Sequence, residues 1–278
     1  MFSLLTGCID NKISVTLQQI DTLMTEHPDS ALKQLDSLRL EKAEWPKSLR
    51  MRYDLLEAKA QNKAFIPFTT DSIAKDFTIY YDNNGSANER MLAHYLLGCA
   101  YRDLGEAPHA IDCYLAAISK ADTTAADCDF NTLSYVYSQM ADLYRSQLLL
   151  SNEISTLKIA SYYAHKSKNI FHEIYYIEKM SGAYILKNEN DSATILLKEC
   201  IDKYLQQGYN QRALQASTKL MFMYVKDPQR LTEAKLLMNK YESESSMFDS
   251  YRELPPSKRQ FYYYKGQYFE GIHQPIVR

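Results

Sequence analysis

The chain has 278 residues, of which 46% are hydrophobic and 12% are aromatic, so it is long and apolar enough to bury a substantial core. Its 32 basic and 34 acidic residues give a formal net charge of −2 without any block of like charges, which argues against nucleic acid as the main partner. Only eight glycines and eight prolines are present, and no run of eighteen apolar residues exists, so the composition predicts an all-α fold without a transmembrane segment.

The first eight residues, MFSLLTGC, end in a four-residue motif, LTGC, that resembles the lipobox of bacterial lipoproteins. In that family the cysteine becomes the lipidated N-terminus after a signal peptidase has cut. A secretory signal needs an apolar stretch of about 7–15 residues. Here only residues 1–5 could form that stretch, which is too short. Two alternatives stay open. Either the reading frame starts upstream, so that 1–8 is an incomplete lipoprotein signal and Cys8 a lipid anchor, or the match is accidental. The first alternative favours the cell envelope over the cytoplasm.

An Asp-Ser pair stands at the start of three apolar, helix-periodic stretches, at residues 29–30, 71–72 and 191–192. A side-chain oxygen at a helix start accepts a hydrogen bond from a backbone N–H that has no partner within the helix. The three pairs therefore predict the N-termini of three helices.

The strongest signal is internal similarity. A small residue, Gly98, is followed three residues later by Tyr101, then by a turn at Gly105, and then by Ala110 and Tyr114 at helical spacing. The pattern recurs three times, at spacings of 40–43 residues. Its later copies are Met140-Ala141 with Tyr144, Met180-Ser181 with Tyr184, and Leu220-Met221 with Tyr224.

This pattern resembles the tetratricopeptide repeat (TPR), in which a helix with Leu-Gly-x-x-Tyr is followed by a turn and a second helix with Ala, an aromatic residue and Ala. His94 stands where the family prefers Trp, and Asp122 where it prefers Pro. The resemblance implies an α-α superhelix, a solenoid of about six helix pairs plus a C-terminal helix near 257–271, within one domain covering 9–278. The pairs are expected at 13–41, 47–82, 88–121, 130–167, 170–206 and 211–246.

Two histidines and two cysteines within twenty residues raise the question of a metal or nucleophile site: His94, Cys99, His109 and Cys113. The repeat geometry implied by the resemblance points these side chains in three directions, so we predict no metal. The sequence also contains no Gly-rich phosphate loop, G-x-S-x-G or H-E-x-x-H motif. We therefore predict no catalytic residues, no cofactor and no enzymatic activity.

The resemblance implies that the chain holds a protein or peptide in the concave groove formed by the first helices. The residues that it places there are Tyr95, Cys99, Arg102, Asp103, Tyr135, Asp142 and Arg145. Two arginines one unit apart suit a carboxylate; alternatively, Arg102 pairs with Asp103 or Asp142. A different function also stays open. Longer helical-repeat regulators of Gram-negative bacteria look similar and continue into a membrane helix and a DNA-binding domain, so the chain could be the sensor part of such a regulator, truncated at its C-terminus.

Overall fold

The computed structural model describes the backbone of residues 2–243, 263–264 and 267–268, and the side chains of 10–239 and of the same two short pieces. All regular secondary structure in these residues is helical, which confirms the predicted all-α fold. The α-helices are α1 (Phe2–Leu23), α2 (Pro28–Leu38), α3 (Lys47–Lys63), α4 (Ser72–Asn84), α5 (Ala87–Asp103), α6 (Ala107–Lys120), α7 (Phe130–Ser146), α8 (Leu150–Lys166), α9 (Ile170–Leu186), α10 (Asn190–Gln206), α11 (Asn210–Lys226) and α12 (Leu231–Ser243).

The chain forms two compact units, and the division falls inside α7, between Leu143 and Tyr144. In the first unit, each helix from α1 to α6 packs against the next, and α1 also contacts α3, which in turn contacts α5. In the second unit, α8 to α12 likewise pack consecutively. Each unit is therefore a row of helix hairpins, as the helix-pair pattern in the sequence predicts.

Short turns reverse the chain between the helices. After α5 the chain turns at Gly105, and after α10 at Gly208, and both glycines have positive φ angles of 78° and 75°. The amide of Gly208 donates to the carbonyl of Leu205, while the next amide, of Tyr209, donates to Tyr204. This pair of hydrogen bonds satisfies the last carbonyls of α10, and a glycine enters the left-handed region without steric cost.

The Asp-Ser pairs do lie at helix starts, but the expected side-chain caps do not form. Asp71 is the N-cap of α4, yet its side chain makes no capping hydrogen bond. Its carboxylate pairs instead with Lys75 at 2.5 Å. The N-cap residues of α2 and α10, His27 and Glu189, also make no side-chain hydrogen bond to the first turn of their helix. A capping box is found instead on α5, where Ser86 and Glu89 bond each other's backbone amides.

Two predictions concern the ends of the chain. The side chain of Cys8 lies outside the described residues, so its lipidation stays a prediction. The predicted C-terminal helix near 257–271 also lies outside them, apart from residues 263–264 and 267–268, which are helical. Among the described helices, none combines the length and apolar character that a bilayer-spanning segment needs.

Candidate functional site: a cationic and aromatic cavity lined by α9 and α11

The histidines and cysteines between 94 and 113 have separate surroundings. The Nε2 atom of His94 lies 3.1 Å from the Asp82 carboxylate, and Nδ1 of His109 lies 3.0 Å from Glu106. Burial raises the pKa of both the Cys99 and the Cys113 thiol to about 11, and a thiol that stays protonated is a poor nucleophile. Within the described side chains, no three His, Cys, Asp or Glu residues converge as metal ligands would.

The first predicted arginine, Arg102, is held by neighbouring side chains. Its Nε donates to Asp103 Oδ1 at 2.8 Å, and its Nη1 donates to Gln139 Oε1 at 2.6 Å. The other carboxylate oxygen of Asp103 accepts a hydrogen bond from the amide of Phe68, at 3.0 Å. Arg102 and Asp103 therefore link the end of α5 to the loop that follows α3. This is the alternative in which Arg102 pairs with Asp103.

The second predicted arginine, Arg145, is held in a similar way. Its Nε donates to Glu153 Oε1 at 2.8 Å, and Glu153 is completely buried. Its Nη2 also lies 3.5 Å from the carbonyl of Lys179. The guanidinium therefore neutralises a carboxylate of its own chain in the second unit.

The remaining predicted residues differ in exposure. Cys99 is fully buried and Tyr95 nearly so, with the Tyr95 hydroxyl accepting a hydrogen bond from Asn62. Both therefore pack inside the first unit and offer little surface to a partner. Tyr135 is half-buried and Asp142 is exposed. As a binding surface, these seven residues stay a prediction.

A cavity of about 600 Å³ in the second unit collects polar, charged and aromatic groups that the sequence analysis did not single out. This volume lies within the range of small-ligand and peptide subsites, roughly 300–1,000 Å³. The first helices of two successive pairs, α9 and α11, supply nearly all of its lining. The lining residues are Tyr175, Glu178, Lys179, Ile185, Arg212, Gln215, Thr218, Lys219, Phe222 and Tyr264.

One carboxylate lies among three cations in this cavity. Glu178 is 5% exposed at its side chain, and Lys219 Nζ lies 2.5 Å from its Oε1. The hydroxyl of Tyr204 donates to the other oxygen of Glu178 at 3.0 Å. Because both oxygens already have donors, Glu178 holds Lys219 in place, and the described lining residues offer no other carboxylate to pair with Arg212.

Arg212 is the cation that aromatic rings position. Its guanidinium carbon lies 5.5 Å from the centroid of the Phe171 ring and 5.2 Å from that of Tyr175, and the two rings are nearly parallel, at 8°. Nη1 donates to Gln215 Oε1 at 3.1 Å. No acidic side chain among the described residues pairs with this guanidinium. Its remaining donors suit a carboxylate supplied by a ligand.

The repeat register connects this cavity with the predicted groove. Moving forward by 40 residues takes Tyr135 to Tyr175 and then to Gln215, and Asp142 to Gly182 and then to Phe222. The cavity thus uses the same helix face that was assigned to the two preceding units. Extending the register to the later copies of the pattern would have identified it from the sequence.

Solved structures show the same type of fold. BtubC (BKLC) from P. vanneervenii superposes with a TM-score of 0.59 and 11% identity, over 84% of this chain and 94% of that one. The nearly identical TPR-like repeats of a Podosopora anserina protein described as a kinesin light chain superpose with a TM-score of 0.51 and 12% identity, over 69% of this chain and 96% of that one. No protein-family model matches the sequence, and no curated protein matches it. The chain therefore has the TPR-like helical-repeat fold.

Proposed function

We propose that the chain is a non-enzymatic scaffold that binds a protein or peptide, and that the cavity lined by α9 and α11 takes an acidic stretch of that partner. The observation that carries the proposal is the charge of the cavity. Arg212 and Lys219 line the cavity with one carboxylate among its described residues, Glu178, whose two oxygens already accept hydrogen bonds. A fold alone does not define a function, so the proposal rests on this site.

The geometry favours a ligand carboxylate at Arg212 in particular. The Phe171 and Tyr175 rings fix one side of the guanidinium, and Gln215 occupies one of its nitrogens. A guanidinium that is already positioned loses little conformational freedom when it binds an anion. Lys219 is positioned in the same way by Glu178. Two fixed cations about two turns apart on α11 suit two acidic residues of one bound segment.

Fluorescence anisotropy with a labelled peptide, Glu-Glu-Ser-Glu-Glu, tests the proposal. We expect Arg212→Ala to weaken binding at least about tenfold, which corresponds to about 1.4 kcal/mol. The matched control is Lys198→Ala, which removes an exposed cation from α10 and should change the affinity by less than about twofold. Equal losses in the two variants, or no binding by the unmodified chain, would contradict the proposal.

A further inference from the structure

We infer that Phe222 and Tyr264 form an aromatic subsite of the cavity, which selects an apolar side chain flanked by acidic residues in the bound segment. This subsite rests on the proposed function and adds an apolar side chain to the acidic residues that the ligand must carry. Both residues line the cavity and are half-buried, and their ring centroids lie 5.5 Å apart at an angle of 56°. The two rings offer an apolar surface next to the cations.

The repeat register places Tyr264 at a groove position. In the predicted first-helix pattern, Gly266 corresponds to Ser181 and Met221. The residues two positions earlier are Lys179, Lys219 and Tyr264, and all three line the cavity. The third successive copy of this position therefore carries an aromatic ring where the other two carry ammonium groups.

Neighbouring tyrosines show that Tyr264 differs from a residue that only packs or only faces solvent. Tyr268 is 7% exposed, while Tyr263 is 62% exposed and accepts a hydrogen bond from Gln267 at 2.9 Å. Tyr264 lies between these extremes, with part of its surface directed into the cavity. An aromatic ring half-exposed inside a concave site supplies contact area with little conformational freedom to lose.

Charge around the subsite specifies what must flank the apolar side chain. The Lys226 ammonium lies 5.3 Å from the centroid of the Phe222 ring, and Lys219 lines the same cavity. A segment that packs an apolar side chain against Phe222 and Tyr264 brings its neighbouring residues close to these cations. The ligand class is therefore an acidic segment interrupted by an aromatic or branched aliphatic residue.

The test compares two labelled peptides on the full chain, Glu-Glu-Phe-Glu-Glu and Glu-Glu-Ser-Glu-Glu. We expect the unmodified chain to bind the Phe peptide at least about tenfold more tightly than the Ser peptide, because burial against two rings favours the apolar side chain. Tyr264→Ala should reduce this preference to less than about threefold, and Tyr264→Phe should keep it, since the ring and not the hydroxyl makes the contact. Tyr263→Ala is the matched control and should also keep the preference.

The outcomes separate the subsite from the proposed function. If the unmodified chain binds both peptides equally, the subsite is wrong while the acidic-segment function stands. If Tyr264→Ala keeps the full preference, Tyr264 is not part of the subsite. If the unmodified chain binds neither peptide, both proposals fail. The comparison of the Phe and Ser peptides on the unmodified chain needs no variant, so it tests the aromatic subsite even if Tyr264→Ala does not fold.

Discussion

Gly98 on α5 lies directly against the ring of Tyr114 on α6: a Cβ atom at Gly98 would come within 2.4 Å of Cε1 and 2.6 Å of Cδ1. Tyr114 is completely buried, so its ring has no free space to move into. The small residue and the aromatic residue of the repeat pattern thus contact each other within one helix pair. This contact explains why the pattern needs both residues at this spacing.

Gly98→Ala should therefore destabilise the protein by about 1–3 kcal/mol, the usual cost of overpacking a core. Urea denaturation measures the change. The control is Gly182→Ala, where the nearest side-chain atom is Nη2 of Arg145 at 2.9 Å. This atom ends a flexible side chain and can move, so the control should cost less. Equal costs at the two glycines would show that the Tyr114 contact is not what makes Gly98 necessary.

Arg145→Ala should also destabilise the protein, because it leaves the buried carboxylate of Glu153 without its guanidinium. We expect a loss of about 2–4 kcal/mol, somewhat below the upper range for fully buried pairs because the Arg145 side chain is 34% exposed. Lys158→Ala removes an exposed cation of the same helix hairpin and serves as the control. A melting temperature for Arg145→Ala equal to that of the control would mean that the ion pair contributes nothing to stability.

Cys200 predicts a pH dependence of stability at alkaline pH. Burial raises the pKa of its thiol from the ordinary value of 9.0 to about 12. The unfolded chain therefore loses this proton first, and the contribution of Cys200 to stability, complete below pH 9, is lost as the pH rises from 9 towards 12. Between pH 8 and pH 10 the free energy of unfolding should fall by about 1 kcal/mol more in the unmodified protein than in Cys200→Ala. Identical pH profiles for the two proteins would contradict this assignment.

The lipobox resemblance predicts a modified N-terminus. If the reading frame starts upstream of residue 1, the mature protein in its native host should begin at Cys8 and carry acyl chains, because stable anchoring takes two or more of them. Intact mass spectrometry of membrane fractions measures this directly. An unmodified protein in the cytosolic fraction would refute the prediction.

The repeat pattern predicted the fold because each of its signals has a local physical cause. Glycine and alanine at fixed spacing indicate close helix contact, and the later copies place the small residues Ala141 and Ser181 at the position of Gly98. The helix starts were located correctly, but the capping bonds were not, because Asp71 has a competing partner, Lys75, one helical turn away. Local sequence does not show which of two available partners a carboxylate takes.

The candidate site was harder to predict for the same reason. Arg102 and Arg145 look available in the sequence, but Asp103 and Glu153 occupy them. No described carboxylate pairs with Arg212, and its position against Phe171 and Tyr175 depends on packing between α9 and α11. The register alone identifies the helix face that lines the cavity, whereas the choice among its cations requires the tertiary contacts.

Cross-link mapping is the most direct test of the central claim that the cavity of the second unit binds an acidic segment. A Glu-Glu-Bpa-Glu-Glu peptide, in which Bpa is the photoreactive residue benzoylphenylalanine, is irradiated with the full chain, and the cross-linked sites are identified by mass spectrometry. We predict that the cross-links fall in α9, in α11 and at Tyr264, and that an excess of unlabelled Glu-Glu-Phe-Glu-Glu or the Arg212→Ala substitution suppresses them. Cross-links concentrated on α5 and α7, or spread over the chain and unaffected by Arg212→Ala, would contradict the claim.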